Sequence, residues 1–130
     1  MQKANLVLLV DDNDTDNFIN KRIIELANFS NSVIVKNSGK EALEYLQSEE
    51  NNPDNLPDFI FLDINMPIVD GFVFLIEFEQ LSETVKKKCK VCVLSSSDNS
   101  RDIERITSNE FVINFITKPL SVENLNSLSY

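Results

Sequence analysis

The chain has 130 residues, about the size of one domain and enough for a single hydrophobic core, and it carries 21 acidic against 12 basic side chains, a net charge of −9. That balance excludes a nucleic-acid or anionic-membrane surface, and the absence of histidine excludes His-based zinc sites, Ser-His and Cys-His nucleophile pairs and a phosphohistidine carrier. No stretch approaches ~18 uninterrupted apolar residues and no secretory signal opens the chain, so the expectation is one cytoplasmic domain over residues 1–130 with no membrane partner.

Leu6-Val7-Leu8-Leu9-Val10 is the first apolar run, short and unbroken as befits a strand buried on both faces, and it ends in Asp11-Asp12. Asp14 and Thr15 are candidate caps for a helix whose apolar positions Phe18, Ile19, Ile23, Leu26 and Ala27 form one inward stripe. Ser32-Val33-Ile34-Val35 is the second strand, and Ser38-Gly39-Lys40-Glu41 has the spacing of a capping box before Ala42, Leu43 and Leu46. Residues 48–57 are polar and interrupted by two prolines, a loop of about ten residues.

The third strand is Phe59-Ile60-Phe61-Leu62, which delivers Asp63 at its carboxyl end and leaves through Pro67. Asp70-Gly71 precedes an apolar helix over 72–81, with Phe72, Leu75, Ile76 and Phe78 as inward candidates, and Lys86-Lys87-Lys88 reads as a solvated connection. Val91-Cys92-Val93-Leu94 is the fourth strand, with Ser95-Ser96-Ser97-Asp98 at its end. Ile103 and Ile106 anchor a further helix. The fifth strand, Phe111-Val112-Ile113-Asn114-Phe115-Ile116, ends in Thr117-Lys118-Pro119, and Ser121 can cap a short last helix carrying Val122, Leu125 and Leu128. The pair Cys89-Lys90-Val91-Cys92 has the spacing of a redox or metal motif. On a strand, however, residues three apart lie roughly 10 Å from one another and face opposite sides, too far for a disulfide, so core packing is the expectation for Cys92.

Five strands alternating with helices imply an α/β fold with a parallel sheet and right-handed crossovers. The polar residues then fall at one edge: Asp11 and Asp12 after strand one, Asp63 after strand three, Ser95 after strand four and Lys118 after strand five. In an open α/β sheet that edge is where ligands bind. Clustered carboxylates repel one another unless a cation shares the site, and hard oxygen donors with room for waters suit Mg²⁺. Such an ion beside one carboxylate, one hydroxyl and one lysine meets the needs of phosphoryl transfer, with Asp63 as the nucleophile that would form an aspartyl-phosphate.

These residues resemble the receiver domain of two-component response regulators over nearly the whole chain, from Leu6 to Leu128. The resemblance implies a flavodoxin-like (βα)5 doubly wound sheet in the order 2-1-3-4-5. It implies that Asp63, in Phe-Leu-Asp-Ile-Asn-Met-Pro, is the phosphoacceptor, and that Asp11 and Asp12 help hold Mg²⁺ or Mn²⁺ together with Asp63 and the backbone carbonyl of Asn65. Ser95 matches the switch hydroxyl, Lys118 the lysine that pairs with the phosphoryl group, and Phe115 the aromatic switch of strand five, while Pro119 would follow a cis peptide. The partners so implied are a sensor histidine kinase or histidine phosphotransfer protein as donor and an unknown downstream protein as target. The expected role is a stand-alone signalling receiver that catalyses its own phosphorylation and dephosphorylation rather than a conventional enzyme.

Two rival readings are distinguishable in the sequence. An aspartyl-nucleophile phosphatase typically places a second acid two residues after the nucleophile, where this chain has Asn65. A pseudo-receiver, a binding module without the chemistry, loses the acceptor, the metal acids or the lysine, and none of these is missing here.

Overall fold

The apolar runs at residues 6–10 and 59–62 lie side by side at the centre of one parallel sheet, which explains why neither has a polar face. The structure is a computed structural model that describes residues 3–64, 71–96 and 100–128. In chain order the elements are β1 (Ala4–Val10), α1 (Asp14–Leu26), β2 (Ser30–Lys36), α2 (Gly39–Ser48), a 3₁₀ turn (Pro53–Asn55), β3 (Phe59–Asp63), α3 (Gly71–Glu79), α4 (Glu83–Lys88), β4 (Lys90–Ser95), α5 (Ser100–Thr107), β5 (Val112–Thr117) and α6 (Val122–Asn126). The strands run in the order β2-β1-β3-β4-β5, all parallel, the flavodoxin-like order that the receiver resemblance implied.

Alternation along the strands divides the core in two. Leu8, Val10, Ile60, Leu62, Val91 and Val93 face the side covered by α2, α3, α4 and α5, where Ala42, Leu46, Phe74, Phe78, Val85 and Ile106 meet them. Val7, Leu9, Phe59, Phe61, Cys92 and Leu94 face the other side, closed by Ile24 of α1 and Leu125 of α6. Cys92 is therefore a core residue as expected. Cys89 is buried too, and both cysteines are free thiols.

The helix starts follow local chemistry. Asn13, not Asp14 or Thr15, caps α1: its side chain accepts from the Asp16 N–H at 2.9 Å. Ser38 accepts from the Glu41 N–H as the Ser-x-x-Glu spacing predicts, but the Glu41 carboxylate reaches back to the Asn37 N–H instead of the Ser38 one. Ser121 and Asn124 make a full reciprocal box at α6.

Three expectations are corrected. The inward stripe of α1 is rotated by roughly a third of a turn: Phe18 is 74 % exposed, Ile19 and Leu26 also face outward, and the buried positions are Asn17, Asn20 and Ile24. The cap at Asn13 and a hydrogen bond from the Asn17 amide to the Asp11 carbonyl, 2.8 Å, set this phase. In α3, Ile76 is 59 % exposed, while Phe74 takes the inward place beside Leu75 and Phe78. The lysine run is no mere connection: Ser82 caps α4 there, Lys86 pairs with Glu83, and Lys88 reaches the buried carboxylate of Asp58 at 2.6 Å.

Residues 48–57, which carry no functional signal in the sequence, act as a plug. The 3₁₀ turn seats Leu56 fully in the core beside α2 and α3, and Asp58 then accepts from the Asn5 N–H at 2.7 Å, tying this connection to the start of β1. Gly71 is needed where it stands, because a Cβ there would fall 2.6 Å from the Ile64 Cα. The Gly71 N–H donates to the Ile64 carbonyl at 3.2 Å, so α3 starts pressed against the residue that follows Asp63.

Candidate functional site

Four strand ends meet at the carboxyl edge of the sheet. Asp11 follows β1 and is buried; its Oδ1 accepts from the Asn13 N–H at 3.0 Å, which bends the chain off the strand and into α1. Asp12 beside it is exposed. Asp63 ends β3 and is 5 % exposed. Ser95 ends β4, fully buried, and its carbonyl accepts from the Lys118 N–H at 2.9 Å, so the ends of β4 and β5 are joined beside the site. Lys118 precedes Pro119 through a cis peptide bond, as the resemblance implied.

Side chains from three of these ends converge. The Lys118 Nζ lies 2.8 Å from Asp11 Oδ2 and 3.6 Å from Asp63 Oδ2. It also lies 2.9 Å from Asp16 Oδ2. Burial alone would lower the pKa of this ammonium, but hydrogen bonds to Asp11 and Asp16, with the charges of Asp63 and Asp11, outweigh it and raise the pKa above the ordinary lysine value. Lys118 therefore stays charged throughout the neutral range.

Asp11, Asp12 and Asp63 each offer a carboxylate oxygen, and these oxygens lie within 4.8 Å of one another. The donor set is all hard oxygen, with no nitrogen or sulfur, and it fits a divalent cation of the Mg²⁺, Ca²⁺ or Mn²⁺ kind. Asn65, whose carbonyl was expected to add a ligand, lies outside the described residues, as do Ser97 and Asp98.

Phe115 is set apart from the charged cluster by strand parity. It pairs in register with Val93 and packs against the core on the α2–α5 side. Asp11, Asp63 and Lys118 continue the alternation of Leu9, Phe61 and Ile116, which face α1 and α6. The aromatic thus looks to one face of the sheet edge, and Asp11, Asp63 and Lys118 continue the other.

Asp16 is the residue that sequence reasoning missed. With Asn13 as the cap, Asp16 is the third residue of α1, where a side chain reaches back over the helix start toward the sheet edge. The signal was present but ambiguous, since Asp14 and Asp16 both suit the positive end of a helix dipole. Next to it is a cavity of about 290 Å³ lined by Asp16, Ile19, Asn20, Ser96, Lys118 and Pro119. Deeper in, Asn17 is buried and its Oδ1 has no hydrogen-bond partner among the described residues.

Comparison with known proteins bears on what this edge does. The model of the response regulator receiver domain matches residues 7–129. The probable methanogenesis regulatory protein FilR2 of Methanothrix harundinacea is 34 % identical over 92 % of this chain and 76 % of its own length. The crystal structure of a two component response regulator from Cytophaga hutchinsonii superposes with a TM-score of 0.88 at 34 % identity, covering 96 % of this chain and 93 % of that one. Response regulator Rcp1 of Synechocystis is 31 % identical over 92 % of this chain and 80 % of its own. A Mn(2+)-bound form of Rcp1 superposes with a TM-score of 0.73 at 28 % identity, covering 93 % of this chain and 86 % of that one.

Proposed function

The chain belongs to the response regulator receiver domain family of two-component signalling, and from that premise we propose that its residues 1–130 act as one receiver unit in which Asp63 accepts a phosphoryl group from a phosphohistidine. The donor is a sensor histidine kinase or a histidine phosphotransfer protein, the output is a changed protein-binding surface, and the setting is the cytoplasm. Among the described residues no helix is long and apolar enough to cross a membrane. The observation that carries the reading is the meeting of Lys118 with Asp11 and Asp63 at the sheet edge, where Asp12 completes the carboxylate cluster.

In the transfer, an Asp63 carboxylate oxygen forms the new bond to phosphorus as the bond from phosphorus to the donor imidazole nitrogen breaks. That nitrogen keeps the electron pair, and because the donor ring reacts with a proton on its other nitrogen it leaves as neutral imidazole. Lys118 is charged and within a short movement of the acceptor, so it can meet the phosphoryl oxygens as they arrive. Asp11, Asp12 and Asp63, with the Asn65 carbonyl, would hold Mg²⁺ or Mn²⁺, whose charge offsets that of the phosphoryl oxygens. Burial of Asp11 and Asp63 limits water around the reacting carboxylate. The exposed apolar side chain of Ile19, which lines the cavity beside Asp16 and Lys118, suits a protein donor better than a small molecule.

After transfer, the Ser95 hydroxyl, which turns to the phosphoryl group, and Phe115 act as the two switch groups, shifting the population of the surface formed by β4, β5 and α5. Dephosphorylation is the receiver's own hydrolysis at Asp63. The test is incubation with Mg²⁺ and acetyl phosphate, followed by intact mass measurement. One base-labile phosphate adduct is expected on the native chain and none on Asp63→Ala. An adduct that survives the substitution would remove Asp63 from its role, and none on the native chain would overturn the phosphoacceptor reading altogether.

A further inference from the structure

Lys118 is closer to Asp16 than to Asp63, 2.9 Å against 3.6 Å, and the longer separation is beyond hydrogen-bond range. The ammonium has three donors, of which Asp11 and Asp16 engage two by direct bonds. Asp11 follows β1, inside the sheet edge, whereas Asp16 belongs to α1 and stands at the mouth of the cavity beside Ile19 and Asn20. The lysine therefore bridges two elements before any phosphoryl group arrives.

We propose that Asp16 is a positioning residue that competes with the acceptor for Lys118, so that phosphorylation draws the lysine off α1 and is felt on that helix. This rests on Asp63 being the phosphoacceptor. A phosphoryl group on Asp63 adds negative charge and oxygen acceptors at the far side of the ammonium, and the bond to Asp16 is made more strongly before that addition than after it. An interaction that favours one state over the other biases the equilibrium between them. Asp16 thus holds the unphosphorylated arrangement, and its release leaves a free carboxylate at the cavity next to exposed Ile19. The switch then has two outputs: Phe115 acts on one face of the sheet, and the Lys118–Asp16 bond acts on the α1 face.

The test uses the full chain with Mg²⁺ and beryllofluoride as a phosphoryl mimic, titrated against the native protein, Asp16→Asn, Asp16→Glu and Asp14→Asn. Asp16→Asn is expected to lower the half-saturating beryllofluoride concentration about fivefold, the low end of typical coupling between sites, because the Asp16 side chain is 36 % exposed. Asp16→Glu keeps the charge and can reach the lysine, so it should titrate close to the native protein. Asp14→Asn removes an equal charge from the same helix turn without touching Lys118 and should also stay close to native. Equal tightening in both asparagine variants would reduce the effect to general charge and overturn the proposal, and so would an unchanged or weaker Asp16→Asn. Without any variant, backbone amide resonances of residues 16–20 must move when the native protein binds beryllofluoride; fixed resonances would also overturn it. Failure of the native protein to bind beryllofluoride or to take phosphate from acetyl phosphate would instead sink the acceptor role of Asp63.

Discussion

Cys89 and Cys92 show how far one residue's environment decides its chemistry. Burial raises each thiol to about 12, and the neighbouring Lys88 or Lys90 opposes this only in part. The thiols are protonated at neutral pH and therefore poor nucleophiles, whatever their spacing suggests. The native protein is expected to resist iodoacetamide at about pH 8 and to take up two equivalents in concentrated urea, read by intact mass; rapid labelling of the folded chain would contradict the burial. The sign of the alkaline effect follows. Between the ordinary thiol value of 9.0 and about 12, the unfolded chain has released these protons and the folded chain still holds them, so rising pH across that window favours unfolding. At this scale the sequence was legible wherever a polar residue ended an apolar run, as Asp63 and Lys118 do. Asp16 was not, because its role depends on which residue caps α1, and three adjacent side chains were chemically able to do so.

Among the elements, α1 departs furthest from its pattern. Its apolar residues predict an inward stripe through Phe18, yet the helix buries Asn17, Asn20 and Ile24. A hydrophobic stripe decides helix phase when nothing stronger acts; here the Asn13 cap and the hydrogen bond from Asn17 to the Asp11 carbonyl fix the first turns in another phase. The two phases make opposite predictions. Ile24→Ala should cost about 2–5 kcal/mol, the usual range for a buried aliphatic truncation, while Phe18→Ala should stay within about 0.5 kcal/mol as a surface change. Urea denaturation of both variants decides, and a larger loss from Phe18→Ala would restore the stripe. The strands were far more legible than this helix, since β1 and β3 are buried on both sides and admit only one reading of an unbroken apolar run. In α4 the three lysines concealed a helix from composition alone, because its cap Ser82 and its one buried apolar residue, Val85, are too few to make a periodic signal.

For the whole molecule, the sequence pattern implied a parallel sheet and the family resemblance supplied its strand order, but neither anticipated the plug of residues 48–57, where a single buried Leu56 decides and no period exists. Nor did they show how unevenly charge is spread. At the amino edge of the sheet Asp58 is matched by Lys88. At the carboxyl edge Asp11, Asp12, Asp16 and Asp63 face only Lys118 among the side chains of the described cluster, so a third of the net charge of −9 is concentrated there. Repulsion of that kind weakens the folded state until a cation joins it, and a cation that binds the folded chain alone stabilises it by mass action, about 2.7 kcal/mol at a hundredfold excess over Kd. Mg²⁺ or Mn²⁺ is therefore expected to raise the thermal midpoint well beyond what NaCl of equal ionic strength achieves by screening. Asp12 separates the two effects, because it is exposed and contributes to the oxygen cluster without bonding to Lys118. Asp12→Asn should melt no lower than the native chain without divalent ions, having lost one repelling charge, and should lose most of the rise when they are added. Equal rises with NaCl and MgCl₂, or a full metal response in Asp12→Asn, would show that the cluster is only a repulsive surface and not the seat of a cation.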